Sequence, residues 1–133
     1  MTFTKDQIVQ YVYNSKPVIN LYQSSMAIGF WPDFPDYDIE NLSWFLEKTG
    51  ISDLNFIDEL LINNEMTLRR YIAHIYSNRK SPWRVNPRFL CELALIVKHP
   101  KSFTTENLVE HGWHLDIASI IVSAAANFSE SVV

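Results

Sequence analysis

Apolar residues recur at intervals of three and four in one segment of this chain after another, and little interrupts them with a sharp turn. There are three glycines and no Asn-Gly or Asp-Gly pair, so the tight turns that close β-hairpins have no residues to form them. Spacing of this kind lines side chains along one stripe of a helix. The expected fold is all-α, a single-domain bundle of about six to eight short helices over residues 1–133. Ile120 to Val122 is the one run in which a strand could hide. Hydrophobic residues make up 47% of the chain, enough for an ordinary core, and no repeat, low-complexity tract or long linker divides it.

Local signals place the helices. Thr4 with Gln7 is a capping-box pattern opening a helix over 5–14, and Pro17 suits the first turn of a second, which Gly29 and Pro32 end. Asp38 is read as the cap of a third helix, "IENLSWFLEKT", with Gly50 as its terminator, and Ser52 as the cap of a fourth, "DLNFIDELLINN". In the fourth, Leu54, Ile57, Leu60 and Leu61 face inward and Asp53, Asp58 and Glu59 are left toward water. A fifth runs over 65–79. "RFLCELALIVK" is apolar on nearly every face and belongs in the centre, with Arg88 and Glu92 paired along its one exposed edge. A short capped helix closed by Gly112 and a last, largely apolar helix over 114–128 follow; the two apolar helices are expected to pack together, and the terminal "SESVV" to fray.

Little in the sequence suggests catalysis. Cys91 is the only cysteine, which forbids an internal disulfide, fits a reducing compartment, and sits among leucines that argue for burial rather than nucleophilic use. His111 and His114 stand three apart, but Gly112 between them reads as a helix stop, and no further ligand pattern accompanies them. No glycine-rich phosphate loop is present, and the neighbouring carboxylates are not opposed across a cleft by sequence alone. The expectation is a non-enzyme with no cofactor and no metal. The opening "MTFTKDQIVQ" lacks the pattern of a secretory signal, and "LDIASIIVSAAANF" is too short to span a bilayer, so the expected location is the cytoplasm and no membrane partner is expected.

Charge is segregated. The total of −4 divides into −7 over residues 1–66, +7 over 67–101 and −4 over 102–133. Either block could face a partner, or the two could neutralise each other within the fold. The acidic block contains "WPDFPDYD", residues 31–38, where rings alternate with acids. Its rings could fold back over the core or form a contact surface; in the second case Trp31, Phe34 and Tyr37 are anchors, with Asp33, Asp36, Asp38 and Glu40 as a negative rim. Asp53, Asp58 and Glu59 extend that rim. The basic block offers the alternative: Arg69, Arg70, Arg79, Lys80, Arg84 and Arg88, with Tyr76 and Trp83 among them, have the composition of a nucleic-acid backbone surface. A sequence pI near 5.5 and the acidic flanks argue against it.

In general character, acidic, aromatic-rich and without catalytic equipment, the whole chain resembles bacterial immunity proteins, small cytoplasmic inhibitors of a cognate toxin. The resemblance implies a tight one-to-one complex with a basic, nuclease-type toxin, and it assigns no individual residue. A self-assembling structural subunit, the acidic part of one copy against the basic part of another, is the remaining alternative, and the sequence does not fix the oligomeric state.

Overall fold

The computed structural model describes residues 3–26, 36–80 and 86–130, and within these there are eight α-helices and no strand. They are α1 (Lys5–Asn14), α2 (Lys16–Met26), α3 (Asp36–Lys48), α4 (Asn55–Asn63), α5 (Glu65–Asn78), α6 (Pro87–Lys98), α7 (Thr105–Glu110) and α8 (Leu115–Glu130). Pro100–Ser102 adds a 3₁₀ turn after α6. None of these helices is long and apolar enough to cross a membrane.

α6 is the axis of the bundle, packed on by α2, α3, α4 and α5. Its start is well specified. The Asn86 side chain accepts a hydrogen bond from the Phe89 amide at 2.7 Å, and Pro87 occupies the first helical position, where a missing N–H costs nothing. Residues 87–96 are all buried, so a helix with almost no polar face is covered on every side, as its composition requires. Cys91 is among them, and burial pushes its thiol up, away from the reactive thiolate. α8 departs from expectation. Its main neighbours are α5 and α7, not α6, because the short link Gly112–His114 folds it directly back beside α7.

Two glycines set where the chain turns into the core. Gly50 has φ +70° and Gly112 φ +96°, and each follows a helix in the same way. Ile51 N–H donates to Leu46 O and Gly50 N–H to Glu47 O; Trp113 N–H donates to Leu108 O and Gly112 N–H to Val109 O. Both are Schellman turns, and in each the residue after the glycine, Ile51 or Trp113, is buried with the helical residue it bonds. A Cβ at Gly50 would meet no atom within 4 Å, so Gly50→Ala is expected to cost only the left-handed backbone penalty, about 1–2 kcal/mol. A urea melt checks this: the midpoint falls and the slope stays unchanged.

Two helix starts differ from the sequence reading, and a third, α2, has Pro17 in its first turn as expected. α3 begins at Asp36, not after Asp38, so both acids lie in its first turn, where the helix dipole favours negative charge. α4 begins at Asn55 rather than after Ser52, and the side chain that turns the chain into it is Asp53, which accepts from the Asn55 amide at 3.0 Å. α2 is introduced by Ser15, whose hydroxyl accepts from the Val18 amide at 3.2 Å.

Candidate functional site

α4 presents the strongest surface feature. Ile57, Leu60 and Leu61 are buried against the bundle, and Phe56 and Glu59 are carried on the exposed side. Phe56 keeps 38% of its surface in water, an aromatic ring between two carboxylates, Asp53 and Glu59, each three residues away. All three line a cleft of about 450 Å³, together with Gly50, Lys98 and His99. The bond to the Asn55 amide limits where the Asp53 carboxylate can move, and the start of α4 supplies a favourable dipole for it. An exposed ring held beside fixed negative charge can bury itself against a partner that brings positive charge to the rim.

Asp58 was expected in water and is not free there. Its Oδ1 accepts from the Tyr11 hydroxyl at 2.6 Å and from the Ser15 hydroxyl at 2.6 Å, which ties α4 to the corner between α1 and α2. Burial raises the Tyr11 pKa well above the ordinary phenol, so this hydroxyl remains a donor.

The other acids form a second group. Asp36 is exposed and ion-paired with Lys5, and Glu40 is exposed on α3. Asp38, one-quarter exposed, faces Arg88 at 3.5 Å. Lys5 and Tyr11 are both on α1, about 9 Å apart along its axis, so α1 carries the Asp36 contact and the Asp58 contact on one short helix. Tyr37 belongs to the first turn of α3, but its side chain is outside the described part, and Trp31, Asp33 and Phe34 lie outside the described residues altogether.

The described part of the basic block is divided between surface and interior. Arg69 pairs with Glu65 at 2.9 Å, the Arg79 guanidinium stands 4.8 Å over the Tyr76 ring, and the Lys80 amide donates to Asp116 at 2.7 Å. Arg70 is exposed on α5, and Arg84 lies outside the described residues. Arg88 corrects the sequence reading. Its side chain is 8% exposed, and the Glu92 beside it is fully buried, so the pair is in the interior and Arg88 is withdrawn from any nucleic-acid surface.

That interior group is the feature sequence reasoning missed. Arg88 Nε lies 3.2 Å from Glu92 Oε2, Arg88 Nη1 lies 3.5 Å from Asp38, and the Trp113 indole N–H donates to Glu92 Oε1 at 2.6 Å. The Arg88 nitrogens and Glu92 Oε2 are not aligned for hydrogen bonds, so the attraction is coulombic at close range. The four-residue spacing of Arg88 and Glu92 was visible; the Asp38 and Trp113 contacts come from distant segments and have no local signature. Trp113 also packs on Phe89 and Phe45, and the neighbouring Trp44 stacks on His111 with ring centroids 3.7 Å apart. Burial lowers the His111 pKa. His114 is exposed at the start of α8, where its ring accepts from the Asp116 amide, so the two histidines serve separate local roles. Among the described residues no three His, Cys, Asp or Glu side chains gather as a metal site.

Comparison of the chain with protein-family models, with curated protein sequences and with solved structures returned no match.

Proposed function

We propose that this chain is a protein-binding inhibitor of the immunity type, which neutralises a basic, nuclease-type toxin by forming a one-to-one complex in the cytoplasm. The observation that carries the reading is Phe56, exposed on a cleft wall between Asp53 and Glu59. Tight protein interfaces concentrate their energy in a few aromatic anchors surrounded by polar groups, and negative charge around such an anchor speeds capture of a positive target. Speed suits an inhibitor that must act before damage is done. Glu40, exposed on α3, extends the negative field, Asp36 beside it is paired with Lys5, and segment 31–38 belongs to the same proposal through its alternation of rings and acids.

Withdrawal of Arg88 into the interior and the pairing of Arg69 with Glu65 leave the nucleic-acid alternative with fewer free cations than the sequence offered. The inhibitor reading makes a kinetic prediction. Asp53→Lys combined with Glu59→Lys gives up the bond to the Asn55 amide, at a cost of about 1 kcal/mol, and is expected to leave the protein folded and to slow association with the toxin by about ten- to a hundredfold at low salt. Phe56→Ala is expected to act on dissociation instead, accelerating it with little change in the association rate. Stopped-flow mixing at two salt concentrations separates the two effects, and association rates equal to wild type at low salt count against the α4 face.

A further inference from the structure

We propose that a second cleft, between α2 and the α4–α5 corner, receives an arginine or lysine side chain of the protein partner; this rests on the protein-binding reading. The cleft has a volume of about 580 Å³ and is lined by Pro17, Leu21, Leu61 and Ile62, with the carboxylates of Asp58 and Glu65. Lys16 is a cation in the lining and Glu65 is paired with Arg69, which leaves Asp58 as the carboxylate an incoming cation would meet. Apolar walls beside carboxylates match a side chain with a hydrocarbon stem and a charged head.

Asp58 is what distinguishes this cleft from an ordinary groove. Both hydroxyl bonds go to Oδ1, so the carboxylate is held in one orientation by α1 and by the α1–α2 corner before any ligand arrives. A carboxylate fixed in advance loses little freedom on pairing with a guanidinium or ammonium, and that pairing is charge-assisted. A bare metal ion fits less well, because hard cations ask for six or more oxygen ligands. The surroundings point to a protein carrying the cation. Ile62, in the cleft lining, is 63% exposed and offers an apolar contact that a neighbouring residue of the ligand would cover. The occupant is therefore a segment in which an arginine or lysine adjoins an apolar residue.

The test uses the full chain and a probe that does not depend on the partner. Acetyl-leucyl-arginine amide is titrated into ¹⁵N-labelled protein, beside the same peptide with citrulline in place of arginine, which keeps the shape and removes the charge. Saturable shifts confined to the amides of Asn20, Leu21, Asp58, Leu61 and Ile62 are expected, with the citrulline peptide weaker by about tenfold or more. Asp58→Asn retains an acceptor for the two hydroxyls and is expected to weaken arginine-peptide binding by a similar factor. Should that variant fail to fold, Ile62→Lys, at an exposed position, is expected to abolish the shifts by repulsion and obstruction. Shifts that do not saturate, that spread over every acidic residue, or that are the same for the citrulline peptide overturn the assignment. The failures are separable: a toxin whose capture depends on Asp53 and Glu59, together with no peptide binding, removes the cleft alone, and peptide binding without a protein partner removes the inhibitor reading alone.

Discussion

Replacing Arg88 with methionine is expected to lower the stability of the fold by about 3–5 kcal/mol at pH 8. Methionine keeps much of the apolar stem but removes the cation that, among the described residues, stands beside Glu92, a carboxylate with no exposed surface, and takes the same cation from Asp38. An uncompensated buried charge is among the few single changes large enough to remove a major part of a small domain's stability. The loss is expected to shrink at pH 5, where Glu92 in the variant can take up a proton and become neutral. Urea denaturation at the two pH values measures both numbers. A loss below about 1 kcal/mol at pH 8 is the size expected of a surface pair and contradicts the interior placement.

The second large effect is a pH dependence of unusual direction. Burial pushes Glu92 up to about 7, against the opposing pull of the Arg88 charge and the Trp113 hydrogen bond, while Asp38 adds to the rise. In the unfolded chain the same carboxyl titrates near 4.5. Between those two values the folded protein holds a proton that the unfolded chain has released, so stability falls as pH rises through the window and levels off above about 7. The gap between the two values corresponds to about 3 kcal/mol. His111 acts in the other direction below its ordinary value of 6.5, because burial against Trp44 disfavours its charged form. Glu92→Gln isolates the carboxyl: it keeps an acceptor for the Trp113 indole, and the variant is expected to lose the decline between pH 4.5 and 7 while gaining stability relative to wild type at pH 8. Parallel stability profiles for the two proteins over that range exclude a raised Glu92.

Much of the fold was legible because its signals are local. The Thr4–Gln7 capping box, the terminators Gly50 and Gly112, and the apolar stripe Leu68, Tyr71, Ile72, Ile75 and Tyr76 each depend on residues within one or two turns of one another, and each is found in the structure, the last of these rings only partly buried. The central position of α6 followed from its lack of a polar face. Charge misled where it depended on distant contacts. Arg88 and Glu92 read as an exposed pair because charged side chains are rarely buried, and the Asp38 and Trp113 that accompany them inside are separated from them by the chain's path. Asp58 read as a solvated acid for the same reason, since its donors Tyr11 and Ser15 are more than forty positions away. The pairing of α8 with α5 and α7 was hidden because an apolar helix face specifies burial without specifying a neighbour.

The candidate site was only partly legible. Glu59 is on the outer side of α4 as expected, whereas Asp53, exposed as expected, lies two residues before that helix begins, and the exposed ring between them, Phe56, is not singled out by the sequence. Phe56 falls one position from the apolar stripe Leu54, Ile57, Leu60 and Leu61, and a ring beside a core stripe reads as core. Helical period gives no signal of its exposure: Leu60, four residues on and buried, stands as near to Phe56 around the helix as Glu59, three residues on and exposed.

The most direct test of the inhibitor reading is capture from a lysate of the producing organism after nuclease treatment, with tagged wild type and the Asp53→Lys, Glu59→Lys variant compared side by side and eluted in steps of rising salt. The expected result is one small basic protein, stoichiometric with wild type, released at moderate salt and largely absent from the variant. Equal recovery of that protein by both baits contradicts the α4 face, and recovery of nothing beyond an untagged control contradicts the inhibitor itself.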